Sequence, residues 1–334
     1  MTSVVVLGAK RIIGQTLLSR LVGHPWLTVT ALGDLGLPQA ERPFAEACEW
    51  ALADPMPHEL ASIPHRTGDP ASLAQLTGPD TLVLSVLPDG ESGPTDRACA
   101  AMGARVVTHG EDLRLAEDVP LVIPELTIEP PDSPLVATPN CTTVMLALAL
   151  AALRPLAEID AVTMTCLQAI SGADLPGPPS LLMIDNVYPH LRGEELALEH
   201  EIARLFDKPP AISVQAARVP VRVGHTLMVS MRLSGSVMAE DLVAAWRGYC
   251  VPPELRHLPS VVAQPIRVVD MPDRPSVRPD SDAADGMAIT IGALRACPVL
   301  DWRFVLVGNN MIRGSAGMSL LTAEWLTQSG EGPR

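Results

Sequence analysis

The chain alternates between runs typical of buried strands and segments in which apolar residues have helical spacing. The run "SVVVLG" (3–8) is continuous and β-branched, as in a strand buried on both faces, and "RIIGQTLLSRLVG" then has helical spacing. Strand patterns recur at 27–33, 80–88, 104–110 and 119–126. This alternation predicts an α/β fold that begins with a Rossmann-like, doubly wound parallel sheet over residues 1–140.

The pattern changes near residue 141. A helix is predicted over 142–153, and three segments rich in strand formers follow with longer connections: "AVTMTCLQAI", "AISVQAARVPV" and "TLMVSMRLSG". They predict a mixed α+β second domain over residues 141–311. The segment "RGSAGMSLLTAEWLTQ" predicts an amphipathic C-terminal helix within 312–330 that packs back on the first domain.

Composition narrows the range of functions. The net charge of -14 and the pI near 4.9 argue against nucleic-acid and anionic-membrane partners, so a small-molecule substrate is expected. No run approaches eighteen apolar residues, and the N-terminus lacks a signal-peptide pattern, which predicts a cytoplasmic protein. The six cysteines are scattered without CxxC pairs, as expected for reduced thiols with no zinc site or disulfide framework.

The glycine turn after the first strand is a candidate dinucleotide site. Backbone N–H groups and the helix dipole favour a pyrophosphate at such a turn. Its candidate cofactor-binding residues are Gly8, Lys10, Arg11, Ile12, Ile13 and Gly14. Arg11 occupies the place where a full fingerprint has another glycine. Two interpretations stay open: Lys10 or Arg11 supplies charge to a phosphate, or the turn no longer holds a dinucleotide.

Two further cofactor candidates belong to later strands, one at the end of the second strand and one within the strand at 80–88. Asp34, in "ALGDLGLPQ", has a carboxylate that could bond ribose hydroxyls and would repel a 2′-phosphate, although aspartate is also common in ordinary turns. Ser85 lies in the strand "DTLVLSVLP". Both positions suit the edge of the sheet at which dinucleotides bind.

The second domain contains a candidate nucleophile. Cys141, in "TPNCTT", precedes a predicted helix whose first N–H groups and dipole would stabilise a thiolate, and Asn140 is a capping residue. Gln168 stands at a strand end, before a loop that contains Ser171 and Gly172. A lone cysteine at a helix start is more often structural, so the case for a nucleophile depends on its companions.

Those companions lie in "RVPVRVGHT". Arg218 is suited to clamp a carboxylate with two hydrogen bonds, and His225 to move a proton near neutral pH. Together with Cys141 and Gln168 they form a predicted catalytic constellation.

These motifs resemble one known family. "VPLVIPEL", "TPNCTT", "RVPVRVGHT", "DGMAITIGALR" and "GNNMIRGSAG" are similar in order and spacing, nearly end to end, to the aspartate-semialdehyde dehydrogenase family of archaea, fungi and some bacteria. The resemblance implies that Cys141 attacks the acyl carbon of aspartyl 4-phosphate, and that hydride from a nicotinamide converts the thioacyl enzyme to the semialdehyde. It also implies a homodimer built through the second domain.

The same resemblance implies roles for other side chains. His225 is the acid–base residue and Gln168 orients the acyl group. The substrate-binding residues are Arg218 for the α-carboxylate, Glu194 for the amino group and Arg114 for a phosphate, with Ser171 and Gly172 in the adjoining loop. Asn310, in "GNN", is the last candidate cofactor-binding residue.

Departures from the family pattern cluster around the cofactor. The family's GATGxVG turn is "GAKRIIG" here, and a phosphate-binding lysine is replaced by Ala197. Leu35 and Leu37 replace the serine and arginine that usually hold the NADP 2′-phosphate. The cofactor is therefore expected to be NADP or NAD, with loss of the site as a further possibility.

Three hypotheses follow. The first is a reductase with altered cofactor choice. The second is an acyltransferase or ligase-like enzyme that forms the Cys141 thioester from an acyl phosphate or thioester, and passes the acyl group to a nucleophile without hydride transfer. The third is a non-catalytic relative. The reductase ranks first because many site residues match.

Overall fold

The structure is a computed structural model that describes residues 1–127, 129–189, 191 and 193–329. These residues divide into two compact units. The first unit comprises Met1–Pro139, Leu258–Ser260 and the described residues from Ser315 onward, and the second comprises Asn140–His257 and Val261–Gly314. None of the helices described is long and apolar enough to span a membrane.

A largely parallel sheet forms the centre of the first unit. Its strands are β1 (Thr2–Leu7), β2 (Leu27–Leu35), β3 (Ala40–Pro43), β4 (Pro64–Gly68), β5 (Thr81–Ser85), β6 (Arg105–Thr108) and β7 (Leu135–Ala137). They lie in the order β3-β4-β2-β1-β5-β6-β7, and only β3 and β4 pair in antiparallel fashion. The chain adds β2 to β4 on one side of β1 and β5 to β7 on the other. The gap between β1 and β5 is therefore the switch point at which such sheets bind ligands.

The helices of the first unit connect these strands. They are α1 (Ile12–Leu21), α2 (Phe44–Ala47), α3 (His58–Ala61), α4 (Pro70–Ala74) and α5 (Ser92–Ala101). Val4 to Leu7 of β1 are at most 1% exposed, as the continuous apolar run predicts for a strand covered on both faces. The predicted doubly wound sheet is confirmed.

The prediction of a strand at 119–126 is wrong. In the described chain this segment makes a single isolated bridge between Leu121 and Ala137, and the edge strand is β7 instead. Pro120 and Pro124 lack the N–H groups that a ladder requires. Val122 and Ile123 are nevertheless buried. The apolar run therefore reports burial of a loop and not strand pairing.

The second unit is a mixed α+β structure, as predicted. Its strands are β8 (Ile159–Gln168), β9 (Tyr188–Pro189), β10 (Ala211–Arg218), β11 (His225–Leu233), β12 (Ile266–Val268), β13 (Ile289–Ala296) and β14 (Trp302–Gly308). They lie in the order β12-β13-β14-β11-β8-β10-β9. The helices are α6 (Cys141–Ala151), α7 (Ser180–Met183), α8 (Glu194–Leu205), α9 (Ala239–Gly248) and α10 (Val277–Asp280).

The predicted C-terminal helix is present and belongs to the first unit, but residues 317–326 are buried on every face, so the prediction that it is amphipathic is wrong. A π-helical turn over Ile312–Ala316 leads into α11 (Gly317–Ser329); residue 330, the last of the predicted range, lies outside the described residues. The buried carboxylate of Glu324 accepts hydrogen bonds from His24 Nε2 at 2.9 Å and from the backbone of Ser260 at 2.9 Å. These bonds fix α11 within the unit.

Candidate active site

Three strands of the second unit bring polar side chains to one edge of its sheet. β8 and β10 are parallel and end together, so that Gln168 and Arg218 are register partners. β11 runs antiparallel to β8 and begins at this edge with His225. The topology thus gathers three residues that are up to 57 positions apart in the sequence, from 168 to 225.

Cys141 is the first residue of α6. Asn140 caps this helix: its Oδ1 accepts from the Thr142 N–H at 2.8 Å and lies 3.5 Å from the Cys141 sulfur. The sulfur therefore lies at a helix N-terminus, where unpaired N–H groups and the helix dipole favour a negative charge.

His225 faces the cysteine. Its Nε2 lies 3.4 Å from Cys141 Sγ, and its Nδ1 accepts the backbone N–H of Ala169 at 3.1 Å. Complete burial, with the nearby charge of Arg218, lowers the pKa of His225 from 6.5 to about 3. The ring is neutral at physiological pH, and because Nδ1 accepts a hydrogen bond, its proton resides on Nε2, which faces the sulfur.

Gln168 connects a cation and a carboxylate. Its Oε1 accepts from Arg218 Nη1 at 3.1 Å, and its Nε2 donates to Glu194 Oε1. The same Glu194 oxygen accepts from Asn140 Nδ2 at 3.2 Å. Arg218 also donates through Nη1 to the carbonyl of Ala169 at 3.0 Å. A fixed positive group and a fixed negative group are thus joined through Gln168, and Glu194 also binds the cysteine's capping residue, an arrangement suited to orient an amino acid.

Glu201 was not identified from the sequence. It is 1% exposed, and its Oε2 accepts from the Asn140 backbone at 2.7 Å and from Thr143 Oγ1 at 2.6 Å. The available signal was its spacing, because Glu201 lies seven residues after Glu194, two helical turns along the same face of α8. Both carboxylates therefore fix the start of α6.

Two glycines provide the space around these side chains. A Cβ on Gly314 would lie 2.3 Å from the Cβ of Cys141, and a Cβ on Gly172 would lie 2.6 Å from Arg218 Nη1. Gly172 was a predicted site residue, whereas Gly314 was missed because a glycine in "RGSAG" gives no indication of what packs on it. Only glycine fits beside the cysteine.

A hydrogen bond between Asn310 and Ser171 connects two loops of this site. Asn310 is 1% exposed; its Nδ2 donates to Ser171 Oγ at 2.9 Å, and its Oδ1 accepts the Gly224 N–H at 2.8 Å. Both ends of the amide thus bind protein groups of the same unit, next to His225.

The glycine turn of the first unit has the geometry of a dinucleotide fingerprint. Gly8 has φ +83°, and a Cβ on it would lie 2.6 Å from the Val86 carbonyl oxygen. A Cβ on Gly14 would lie 2.1 Å from the Gly8 oxygen. α1 begins with Ile12 and Ile13, so the turn directs a helix N-terminus to the switch point. The first and last glycines therefore keep their required roles.

Arg11 crosses this turn. It is the N-cap residue of α1, and its Nη1 donates to the Val86 carbonyl at 2.6 Å. The side chain thus reaches the end of β5, where Ser85 is buried. The guanidinium places a positive charge beside the turn; its predicted contact with a phosphate stays a prediction.

Asp34 lies beside the same turn. Its Oδ2 accepts from the Lys10 backbone at 3.2 Å and from His65 Nε2 at 2.7 Å. The turn, the helix start and this carboxylate fit the pyrophosphate and ribose of a dinucleotide.

Arg114 is buried at the ends of β6 and β7. Its Nε donates to the Thr138 carbonyl at 3.1 Å and its Nη2 to the His109 carbonyl at 2.5 Å. Burial and the charges of Arg114 and Arg11 keep the pKa of His109 well below its usual value. These hydrogen bonds direct two donors of Arg114 to the main chain.

Comparisons with known proteins agree with this geometry. A family profile described as "Semialdehyde dehydrogenase, NAD binding domain" matches residues 3–131, and one described as "Semialdehyde dehydrogenase, dimerisation domain" matches residues 150–313. Aspartate-semialdehyde dehydrogenase of Archaeoglobus fulgidus is 33% identical, over 96% of this chain and 97% of its own. That of Cryptococcus neoformans is 32% identical, over 97% and 96%.

A solved structure is also similar. The aspartate semialdehyde dehydrogenase of Candida albicans with NADP has a TM-score of 0.86 and 28% identity, and the match covers 99% of each chain. The comparisons support the reductase hypothesis, and they support neither the acyltransferase nor the non-catalytic alternative. They likewise support a nicotinamide dinucleotide site and not its loss. The chain belongs to the aspartate-semialdehyde dehydrogenase family.

Proposed function

We propose that this protein is a phosphorylating dehydrogenase that interconverts aspartyl 4-phosphate and aspartate semialdehyde with a nicotinamide dinucleotide. The observation that carries the proposal is the distance of 3.4 Å between Cys141 Sγ at the start of α6 and Nε2 of the neutral, buried His225. The names of the relatives supply the substrate class, and a fixed guanidinium and a fixed carboxylate near the cysteine suit an amino acid.

The covalent step uses the cysteine. The Cys141 thiolate attacks the acyl carbon, a C–S bond forms, and the bond from that carbon to the phosphate oxygen breaks as phosphate leaves. The reduced dinucleotide, when bound, supplies a hydride to the thioester carbon. The C–S bond then breaks, which releases the semialdehyde and restores the thiolate of Cys141.

The surrounding residues orient the substrate and stabilise the negative charge that develops on the acyl oxygen. The Nε2–H of His225 donates to the sulfur and then to the acyl oxygen as that oxygen gains negative charge. Arg218 binds the α-carboxylate and Glu194 the ammonium group, while Gln168 holds both in register. Arg114 acts by fixing the strand ends near His109 and Thr138.

The proposal includes a homodimer in the cytoplasm. The dimerisation-domain match covers the second unit, and Met228 is 50% exposed on β11, an interior strand of its sheet. A half-exposed apolar side chain at the middle of a sheet suits a partner on that face. All six cysteines are free thiols, as expected in a reducing compartment.

The test runs the reaction in the oxidative direction. With aspartate semialdehyde and either NAD+ or NADP+, steady formation of reduced dinucleotide is expected only when phosphate is present. Cys141→Ala is expected to lower this rate by at least about 10³-fold. Cys250→Ala removes an exposed cysteine of the same unit and is expected to leave the rate unchanged. Full activity of Cys141→Ala, or no reduction by the wild type, would overturn the proposal.

A further inference from the structure

The carboxylate of Asp34 occupies the position that determines dinucleotide choice in this type of sheet. β1 and β2 are parallel neighbours, and the Gly8 N–H donates to the Gly33 carbonyl at 2.8 Å, so the end of β2 lies beside the glycine turn. Asp34 follows Gly14 by 20 residues (34 minus 14). An acidic residue at this spacing accepts a hydrogen bond from the ribose 2′-hydroxyl of a bound dinucleotide.

Neighbouring groups hold the carboxylate in one orientation. Asp34 is 7% exposed and His65, its partner, is 1% exposed. Among the described residues, both hydrogen bonds to this carboxylate end at Oδ2, one from His65 Nε2 at 2.7 Å and one from the Lys10 backbone at 3.2 Å. Oδ1 remains to accept a ribose hydroxyl. A 2′-phosphate at the same place would meet a fixed negative charge with little water to screen it.

The side chains at the end of β2 and just after it offer no compensating cation. Leu35 and the 82% exposed Leu37 are apolar. Arg66, on the adjacent β4, donates to Glu41 at 3.1 and 2.8 Å and to the Ser72 carbonyl at 3.3 Å. Its guanidinium is thus already paired with a carboxylate of the neighbouring strand β3.

We propose that this dehydrogenase selects NAD(H) over NADP(H), and that Asp34, held by His65, is the residue that determines the choice. The inference rests on the proposed function. It separates this protein from the Candida albicans relative, whose structure contains NADP.

Fluorescence titration of the full-length protein with NADH and with NADPH tests the selection directly. The wild type is expected to bind NADH at least about tenfold more tightly than NADPH. Asp34→Ser removes the charge and is expected to weaken NADH and strengthen NADPH, which shifts the ratio of the two dissociation constants by about tenfold or more.

Two further variants make the titration specific. Asp34→Asn keeps the shape of the side chain, so it serves if the serine variant does not fold, and it is expected to shift the ratio in the same direction. Asp80→Ser removes the same charge from an exposed site of the same unit, and it is expected to leave the ratio unchanged.

The outcomes are distinguishable from those of the proposed function. Wild-type binding of NADPH as tight as NADH, through Lys10 or the exposed Arg42, overturns the selection alone, because the Cys141-dependent oxidation is measured separately. An unchanged ratio in both Asp34 variants overturns the assignment to Asp34. Binding of neither dinucleotide overturns the selection and the dehydrogenase together.

Discussion

Single residues around Cys141 are constrained by space as much as by chemistry. The sequence pointed to Gln168, Arg218 and His225, because each is a polar residue at the end of a strand pattern. It did not point to Gly314, because the need for glycine there arises from contact with Cys141, which lies 173 positions away (314 minus 141). Long-range contacts of this kind leave no local signal.

Gly314→Ala is expected to lower the rate by about 10²-fold while the protein stays folded. The added methyl would lie 2.3 Å from the Cys141 Cβ, so the cysteine or the 309–314 turn must shift, and a displacement of about 1 Å at a reacting atom costs about 10²-fold in rate. Steady-state kinetics and circular dichroism check this. Gly248→Ala, where the methyl meets nothing within 4 Å, is the matched control. Equal rates for the two variants would contradict the packing argument.

The reaction rate is expected to show no change near pH 6.5 that arises from protonation of His225. Burial lowers its pKa to about 3, so the ring stays neutral from about pH 6 to pH 8. His225→Ala is expected to lower kcat by about 10²–10⁴-fold, and His225→Gln, which keeps an N–H donor, by less. An acid limb near pH 6.5 that disappears in His225→Gln would show instead that the imidazole titrates during catalysis.

At the scale of elements, strand ends position the site, and strand patterns predict most of the elements. Continuous β-branched runs predicted β1 and β5 in the first unit, and strand formers predicted β8 and β11 in the second. The pattern failed over 119–126, where two prolines keep a buried apolar run out of the sheet. Burial and pairing leave the same hydrophobic signal, so only the missing N–H donors distinguish them.

Asp96 on α5 makes the stability of the first unit depend on pH. Burial raises the pKa of Asp96 from 3.8 to about 7, against the opposing effect of the Ser85 and Thr108 hydroxyls. Because the folded-state pKa is raised, this contribution to the free energy of unfolding is complete below about pH 3.8 and is lost as pH rises through about 7.

The asparagine side chain of Asp96→Asn is neutral at every pH, so it can be buried without binding a proton. Its free energy of unfolding, relative to the wild type, is therefore expected to rise by about 2–4 kcal/mol between about pH 4 and about pH 8. Urea unfolding at both pH values measures this difference, and Asp80→Asn, at an exposed site, should follow the wild type. Parallel pH profiles for wild type and Asp96→Asn would mean that the buried carboxyl is not protonated.

At the scale of the whole molecule, the resemblance identified the family, and the departures from it directed attention to the cofactor. "GAKRIIG" suggested that the dinucleotide site was damaged, yet Gly8 and Gly14 keep the turn and Arg11 lies across it. The sequence alone could not show whether Arg11 blocks the dinucleotide site or supplies a positive charge to it, because the outcome depends on where the arginine side chain points.

The proposed homodimer gives a prediction at the same scale. Met228→Arg places a charge on β11, at the half-exposed position where the partner is proposed to pack. It is expected to shift the protein from dimer to monomer in sedimentation velocity. Met238→Arg, at another exposed methionine of the second unit just before α9, is the control and is expected to remain dimeric. Monomeric wild type, or an unaffected Met228→Arg dimer, would contradict the placement of the interface.

The most direct test of the central claim is a burst measurement without phosphate. With aspartate semialdehyde and oxidised dinucleotide alone, the acyl group is expected to remain on Cys141, so that about one reduced dinucleotide forms per active site, and intact mass increases by one aspartyl group. Added phosphate should then restore turnover, and Cys141→Ala should give neither burst nor adduct. Steady turnover without phosphate, or an adduct on another residue, would contradict the account.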